Sequence, residues 1–299
     1  MTRILVTGKQ GQVGFELLRS LSVLGEVIAV GRDECDLAQS DQIERLLALH
    51  TPDIIVNAAA YTKVDFAEQD VKTANSVNAE APEHLATWAF RNNALLVHYS
   101  TDYVFDGEKS GWYTEEDIAQ PTSVYGRSKL GGEDAIRASG CKALIFRTSW
   151  AYGAHGENFL KTILHLAKER DSLRVISDQY GTPTAAFLIA DITAQVLARY
   201  LRTENLIAFP FGTYHLTAAG ETTWYEYARQ VVSVAMRMGV QLNAKTDSIL
   251  PIPAAEYETA AKRPTNSKLD TSKLQECFGL VLPKWQSGVL HVLNQIIDQ

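Results

Sequence analysis

Cysteine is scarce: the 299-residue sequence holds three, Cys35, Cys141 and Cys277. Their spacings make neither a Cys-x-x-Cys redox pair nor a zinc ribbon, and so odd and sparse a count fits a reducing compartment better than a disulfide framework. Long apolar runs are missing too. No window approaches the roughly 18 consecutive apolar residues of a membrane span. The start, Ile4-Leu5-Val6 and then glycines, lacks the basic stretch and the apolar core of about 7 or more residues that mark a secretory leader. A surplus of positive charge is also absent. Lys and Arg total 28 against 35 Asp and Glu, a net charge of −7. Nucleic-acid binding needs clustered cations, so it is not expected, although a few placed cations can still hold an anionic ligand. No low-complexity stretch and no repeat of 20–50 residues, the range typical of solenoids, is visible. The expectation is a cytoplasmic protein with neither nucleic acid nor membrane as a partner.

What is present is an ordinary globular composition, 46% apolar and 21% charged. At about 150 residues per domain the length allows roughly two domains. The first half alternates apolar runs with helical spacing. Ile4-Leu5-Val6, Val27-Ile28-Ala29-Val30, Ile54-Ile55-Val56, Leu95-Leu96-Val97 and Ala143-Leu144-Ile145-Phe146 read as buried parallel strands. Phe15–Leu18, Ile43–Leu47 (capped by Ser40 or Asp41) and Val77–Phe90 read as the helices between them. The second half loses this rhythm and gathers prolines at 183, 210, 251, 253, 264 and 283, but a long helix over 186–201 could return to the sheet. The expected fold is α/β: a Rossmann-type doubly wound sheet with a smaller, interleaved α+β domain.

The first strand runs into Thr7-Gly8-Lys9-Gln10-Gly11-Gln12-Val13-Gly14, which opens the first helix. The spacing is G-x-x-G-x-x-G. Gly8 permits a tight turn, Gly11 a close approach of backbone to a pyrophosphate, and Gly14 close packing of helix on strand. The helix N-terminus at Gln12 and Val13 offers free N–H groups to phosphate. Arg32 stands after the second strand, where an NAD enzyme usually has a carboxylate, and could meet a 2′-phosphate. On the residues alone it also reads as a solvated loop residue neutralised by Asp33 and Glu34. Asp36 and Leu37 could approach an adenine. Asn57-Ala58-Ala59-Ala60 ends the third strand with small side chains, which would let a cofactor lie close.

Tyr125-Gly126-Arg127-Ser128-Lys129 puts a phenol and an ammonium four residues apart, on one face if the segment is helical. Such a lysine lowers the phenol pKa electrostatically. Ser100-Thr101-Asp102 closes the fourth strand, where a hydroxyl could bond the same substrate oxygen. Together with the glycine turn, these features resemble the extended short-chain dehydrogenase/reductases. Longer blocks narrow the resemblance. Ala60-Tyr61-Thr62-Lys63-Val64-Asp65, Tyr99 to Gly107 (YSTDYVFDG), Arg147 to Gly153 (RTSWAYG), Asp178 to Pro183 (DQYGTP) and Arg263 to Ser267 (RPTNS) are similar to the dTDP-4-dehydrorhamnose reductase family, in order and almost to the end of the chain.

The resemblance implies that NADPH, or less readily NADH, delivers hydride to the C4 ketone of a dTDP-4-keto-6-deoxy sugar. It implies Tyr125 as proton donor, Lys129 as its pKa partner and ribose ligand, and Thr101 as the hydroxyl on the reacting oxygen. Thr62 and Tyr99 join the cofactor site, and Asp102, Trp150 and Arg263 the substrate site. Alternatives from the residues stay open: a turn cap for Asp102, core packing for Trp150, a surface salt bridge for Arg263. A family association with Mg²⁺ makes Glu16 a candidate ligand of a metal at a subunit contact, although one helix-surface carboxylate is a weak magnesium site. His165 and His215 read as structural. Dehydratases of the superfamily carry Asp-Glu after the strand-end Thr; here the pair is Asp102-Tyr103, which lacks a carboxylate for elimination. Rival readings are an epimerase or reductase of another 4-keto sugar nucleotide, and a non-catalytic NADP-binding subunit. The family often forms homodimers. The cofactor domain is expected over residues 1–152 plus about 180–203, and the sugar-nucleotide domain over about 153–179 plus 204–299.

Overall fold

The structure, a computed structural model, describes residues 1–297. In chain order β1 (Arg3–Thr7), α1 (Gln12–Leu21), β2 (Glu26–Val30), α2 (Ser40–His50) and β3 (Ile54–Asn57) form the first units. α3 (Val64–Ala67), α4 (Val71–Asn75), a π-helical turn at Ser76–Glu80 and α5 (Ala81–Arg91) then lead to β4 (Leu95–Thr101). α6 (Val124–Ser139) and β5 (Lys142–Thr148) follow. Beyond them come β6 (Ala151–Tyr152), α7 (Phe159–Glu169), β7 (Leu173–Ile176), β8 (Tyr180–Gly181), β9 (Thr184–Ala185) and α8 (Ala186–Arg202). The last part holds β10 (Gly212–His215), β11 (Thr222–Thr223), α9 (Trp224–Arg237), β12 (Ile249–Ile252), α10 (Ser272–Phe278) and α11 (Trp285–Ile297).

Six strands make one parallel sheet in the order β10-β5-β4-β3-β1-β2. Why the strands read as unbroken apolar runs is plain from the side-chain alternation. Ile4, Val6, Ile54, Val56, Leu144 and Phe146 enter one core cluster with Leu17 of α1 and Ile189 of α8. Leu5, Ile55, Leu96 and Ile145 enter another with Ile43 and Leu85 of α2 and α5. Both faces are covered, so both parities must be apolar. Truncating a fully buried member such as Leu5 to alanine removes about 2–5 kcal/mol.

Two expectations shift and one holds. The helix expected to be capped by Ser40 or Asp41 starts at Ser40, with Gln39 at its cap and no capping side chain. The 186–201 helix does return to the sheet: Asp191 of α8 accepts from Ser20 Oγ at 2.6 Å and Arg19 Nη2 at 2.8 Å of α1. Gly212–His215, assigned from sequence to the second domain, is the sixth strand of the sheet, paired to β5. It is short, lies at an edge and has no apolar run, so nothing in its sequence marked it. The remaining segments cross the sheet's C-terminal edge. Tyr113 pairs with Leu269, Tyr180 with Asn266, and Asn266 Nδ2 donates to the carbonyls of Lys109 and Gly111 at 2.7 and 2.6 Å.

Candidate active site

The glycine turn is tight by necessity. Gly8 has φ +74°, and a Cβ there would stand 2.7 Å from the Ala59 nitrogen. At Gly14 a Cβ would stand 2.0 Å from the Gly8 carbonyl oxygen. Strand, turn and helix are thus in van der Waals contact with the alanines after β3. The N-cap of α1 is Gly11, with no side chain on the open N–H groups and no acid in the first turn. The helix end is therefore free to receive an anion.

A cleft of about 520 Å³ opens over this turn. Gly8, Gly11, Gln12, Val13, Arg32, Asp36, Leu37, Ala58, Ala59, Ala60 and Thr62 all line it. Gly14 lies buried beneath. Gln10, Tyr61, Thr73, Val77, Gly156 and Glu157 line it as well and were not assigned to it from sequence, although Gln10 and Tyr61 stand inside the sequence motifs. Arg32 is exposed, with Nη2 3.4 Å from Asp36 Oδ2. Glu34, which with Asp33 neutralises Arg32 on the alternative sequence reading, pairs instead with Lys9 and accepts from the Gly31 N–H at 2.8 Å. Tyr99, expected in the cofactor site, points the other way. Its parity sends the ring to the α8 face, where its hydroxyl meets Thr193 Oγ1 at 2.8 Å.

Thr101 ends β4 on the same sheet edge. Its Oγ1 donates to Asp102 Oδ1 at 3.0 Å and accepts from the Tyr103 N–H at 3.2 Å. The turn at Asp102–Val104 then meets α6. Ser123 caps α6, accepting from the Gly126 N–H at 3.1 Å, and Glu68 accepts from the Val124 N–H at 2.8 Å. A Cβ on Gly126 would stand 2.2 Å from the Tyr103 carbonyl oxygen. The glycine after Tyr125 thus lets the helix close on the turn that carries Asp102. The Tyr103 and Tyr125 rings meet edge to face, centroids 5.4 Å apart.

Burial pushes the Tyr125 phenol up to about 12, with the Thr101 hydroxyl pulling it down. Lys129 stands four residues further along the same helix. Its fully buried Nζ donates to the Tyr99 carbonyl at 2.6 Å and lies 3.2 Å from His98 Nε2. Burial lowers the Lys129 ammonium to about 8, against the pull of Glu133. Asp102 is pushed up to about 6 by burial, with the Ser267 and Thr101 hydroxyls opposing; its Oδ2 has no hydrogen-bond partner.

The RmlD substrate binding domain model matches residues 1–297. The chain belongs to the RmlD substrate binding domain family. A dTDP-4-dehydrorhamnose reductase of Burkholderia thailandensis is 46% identical over 99% of this chain and 100% of its own length. A crystal structure of a dTDP-4-dehydrorhamnose reductase from Clostridium acetobutylicum has a TM-score of 0.90 at 32% identity, covering 99% of this chain and 100% of that one. One from Bacillus anthracis, in complex with NADP, has a TM-score of 0.87 at 32% identity over 99% and 100% of the two chains.

Against this family frame the remaining assigned residues scatter. Trp150 stacks on Trp224, centroids 3.6 Å apart, with φ +47° in its own backbone. Arg263 Nη2 donates to Asp65 Oδ2 at 2.9 Å, so its charge is already paired, while its buried Nε has no partner. Glu16 faces Arg19 Nε at 3.5 Å. No group of three His, Cys, Asp or Glu placed to hold a metal occurs among the described residues of the single chain, and Glu16 by itself supplies one carboxylate of the several oxygens that magnesium takes. His215 is buried against the Asp270 carbonyl and His165 sits beside Glu169 on α7. The buried polar residues that sequence reasoning missed are His98 and Glu133, and it gave no role to the side chains of Asn57 and Arg147. Arg147 Nε and Nη2 grip the Glu133 carboxylate at 2.9 and 2.7 Å, pinning α6 to β5. No helix among the described residues is long and apolar enough to cross a membrane.

Proposed function

We propose that the chain uses NADPH to reduce the C4 ketone of dTDP-4-dehydro-6-deoxy-L-mannose to dTDP-L-rhamnose, a step of nucleotide-sugar supply for cell-surface polysaccharide. The observation that carries the reading is one sheet edge. A dinucleotide-sized cleft with an open helix N-terminus shares that edge with a strand-end hydroxyl, Thr101, and a phenol, Tyr125, held against it by α6. The family relatives support the sugar. The cleft fits the cofactor because the glycine positions leave no room for a Cβ and bring backbone to its floor. Gly8, Gly11 and the N–H groups of Gln12 and Val13 would hold the pyrophosphate, Arg32 the 2′-phosphate, Asp36 and Leu37 the adenine side, and Ala58–Ala60 with Thr62 the middle. NADPH, when bound, supplies the hydride. NADH lacks the phosphate that Arg32 would meet and serves less well.

Tyr125 gives the proton to the developing C4 alkoxide. Its raised pKa keeps it protonated at neutral pH, and it stays a donor until the alkoxide, a stronger base, forms. Thr101 bonds the same oxygen. Lys129, four residues along α6, holds the nicotinamide ribose and supplies charge as the phenol gives up its proton. Asp102, Trp150 and Arg263 would meet the sugar nucleotide, the last with its Nη2 still held by Asp65. The sugar-nucleotide side would be built mainly from 153–179 and 216–297, with 1–152, 180–203 and β10 making the cofactor side. The reading includes a cytoplasmic setting, in which the free thiols of Cys35, Cys141 and Cys277 stay reduced, and a homodimer, for which the family resemblance is the support. The test mixes protein, NADPH and dTDP-4-dehydro-6-deoxy-L-mannose and follows loss of reduced-nicotinamide absorbance. Oxidation with another keto sugar but not with this one would overturn the substrate. Tyr125→Phe should lose about 10²–10⁴ in kcat with cofactor binding kept; full turnover would remove Tyr125 from its role.

A further inference from the structure

A row of buried polar side chains runs beneath α6 from the glycine turn to Lys129. Thr7 closes β1, Asn57 closes β3 and His98 lies in β4, and the three are direct neighbours across the sheet. All three, and Lys129, are 1% exposed. Buried groups of this kind must satisfy one another, so the direction of each bond constrains the next. Thr7 Oγ1 donates to Asn57 Oδ1 at 2.6 Å. With its oxygen so engaged, Asn57 has its amide N–H to offer His98 Nδ1, 3.1 Å away. His98 Nδ1 accepts, and the neutral imidazole therefore carries its proton on Nε2. That nitrogen lies 3.2 Å from Lys129 Nζ, which itself donates to the Tyr99 carbonyl at 2.6 Å. An Nε2–H facing an ammonium sets donor against donor. Facing an amine, it meets a lone pair.

We propose that Thr7, Asn57 and His98 form a one-way chain of donors ending on the Lys129 nitrogen, with His98 a positioning residue that favours the uncharged amine. The inference rests on the reductase reading, in which Lys129 serves the catalytic site. The charges around the pair are few. At this level β4 is flanked by Asn57 of β3 and Ile145 of β5, and Lys129 is the charge that acts on His98. Glu133, one turn further along α6, favours the ammonium, but its carboxylate is already shared by Arg147 of β5 and Arg137. Burial and the donor chain oppose it. Lys129 then changes charge just above neutral pH, rather than staying permanently cationic like an exposed lysine.

Two readouts decide it. In ¹⁵N-imidazole NMR of the intact protein, His98 should be the neutral Nε2–H tautomer at neutral pH and should stay neutral as pH falls through the ordinary histidine range. An Nδ1–H tautomer, or titration in the ordinary range, overturns the chain; this needs no substrate, so it stands apart from any failure of the sugar assignment. In the pH profile of kcat/KM for NADPH oxidation, His98→Leu removes the opposing donor. The alkaline limb should move to higher pH by about one unit, the equivalent of one hydrogen bond to a charged group. Thr7→Val, close to isosteric, frees the Asn57 amide to turn and should move the limb the same way by less, which covers the case of a His98 variant that fails to fold. A limb that stays, or moves to lower pH, in the variants that fold overturns the proposal.

Discussion

Asp102 is a carboxyl at 3% exposure with one oxygen on the Thr101 hydroxyl and the other without a partner. Burial disfavours its charge and places its pKa near 6, above the ordinary 3.8. The sign of the consequence follows from linkage. A group whose pKa is higher folded than unfolded binds its proton more tightly in the fold. Its stabilising share is complete below the unfolded value and is lost as pH rises through the folded one. From pH ~4 to ~6, then, Asp102 changes from neutral to a burden of up to about 3 kcal/mol. Asp102→Asn cannot ionise. Its melting temperature relative to the parent should climb across that window and level off above it, as pH-resolved calorimetry can follow. A difference that is flat with pH would mean the carboxyl ionises freely where it sits. The same scale shows what sequence can carry. Tyr125 and Lys129 were legible because a spacing of four on a helix is a rule. His98 was not, because one histidine in an apolar strand has no pattern, and its partners are set by strand register.

Elements built from long apolar runs, β1 to β5, were read close to their true bounds, since a strand buried on both faces has no alternation to blur. The short pairs β6 with β9 and β8 with β11 were not. Two residues per strand give no period, and their placement depends on Trp150. This residue holds φ +47°, a conformation that a bulky side chain adopts only under the compulsion of its surroundings. Trp224 stacks on one side, and the Trp150 carbonyl accepts from the Thr184 N–H at 3.2 Å. Gly181 of β8 closes the site: a Cβ there would stand 2.5 Å from the Trp150 ring. Gly181→Ala must therefore displace the indole or the strand. If Trp150 meets the sugar nucleotide, KM for that substrate should rise about tenfold or more while KM for NADPH holds, with a loss of about 1–3 kcal/mol in stability from overpacking. Equal rises in both KM values would make Trp150 a core residue and no more.

At the scale of the whole molecule the chain is woven rather than divided. The expected two-part split failed at β10, which belongs to the sheet although its flanks do not, because membership of a sheet edge is decided by what packs beside it and not by local composition. The late segment is tied back in a similar way. Asp65, in α3, accepts from the Ala261 N–H at 3.1 Å and from Arg263 Nη2 at 2.9 Å. Asn266 N–H reaches the Gly107 carbonyl at 3.1 Å. Residues remote in sequence thus arrive together beside Asp102 and Tyr103, where burial and Asp102 hold the Tyr103 phenol well above its ordinary range and Arg263 opposes them. The Asp65–Arg263 pair is about a third exposed on both sides, so it adds little to stability, about 0–1 kcal/mol. Its worth would lie in holding Arg263 where a diphosphate arrives. Asp65→Asn keeps an acceptor for Ala261 but sets an amide against the guanidinium. The melting temperature should barely move, KM for the sugar nucleotide should rise about tenfold, the weight of one misplaced charge-assisted bond, and KM for NADPH should not change. A variant in which KM for the sugar nucleotide stays put would show that Arg263 finds its phosphate unaided, and that this late segment acts only as a clasp on the fold.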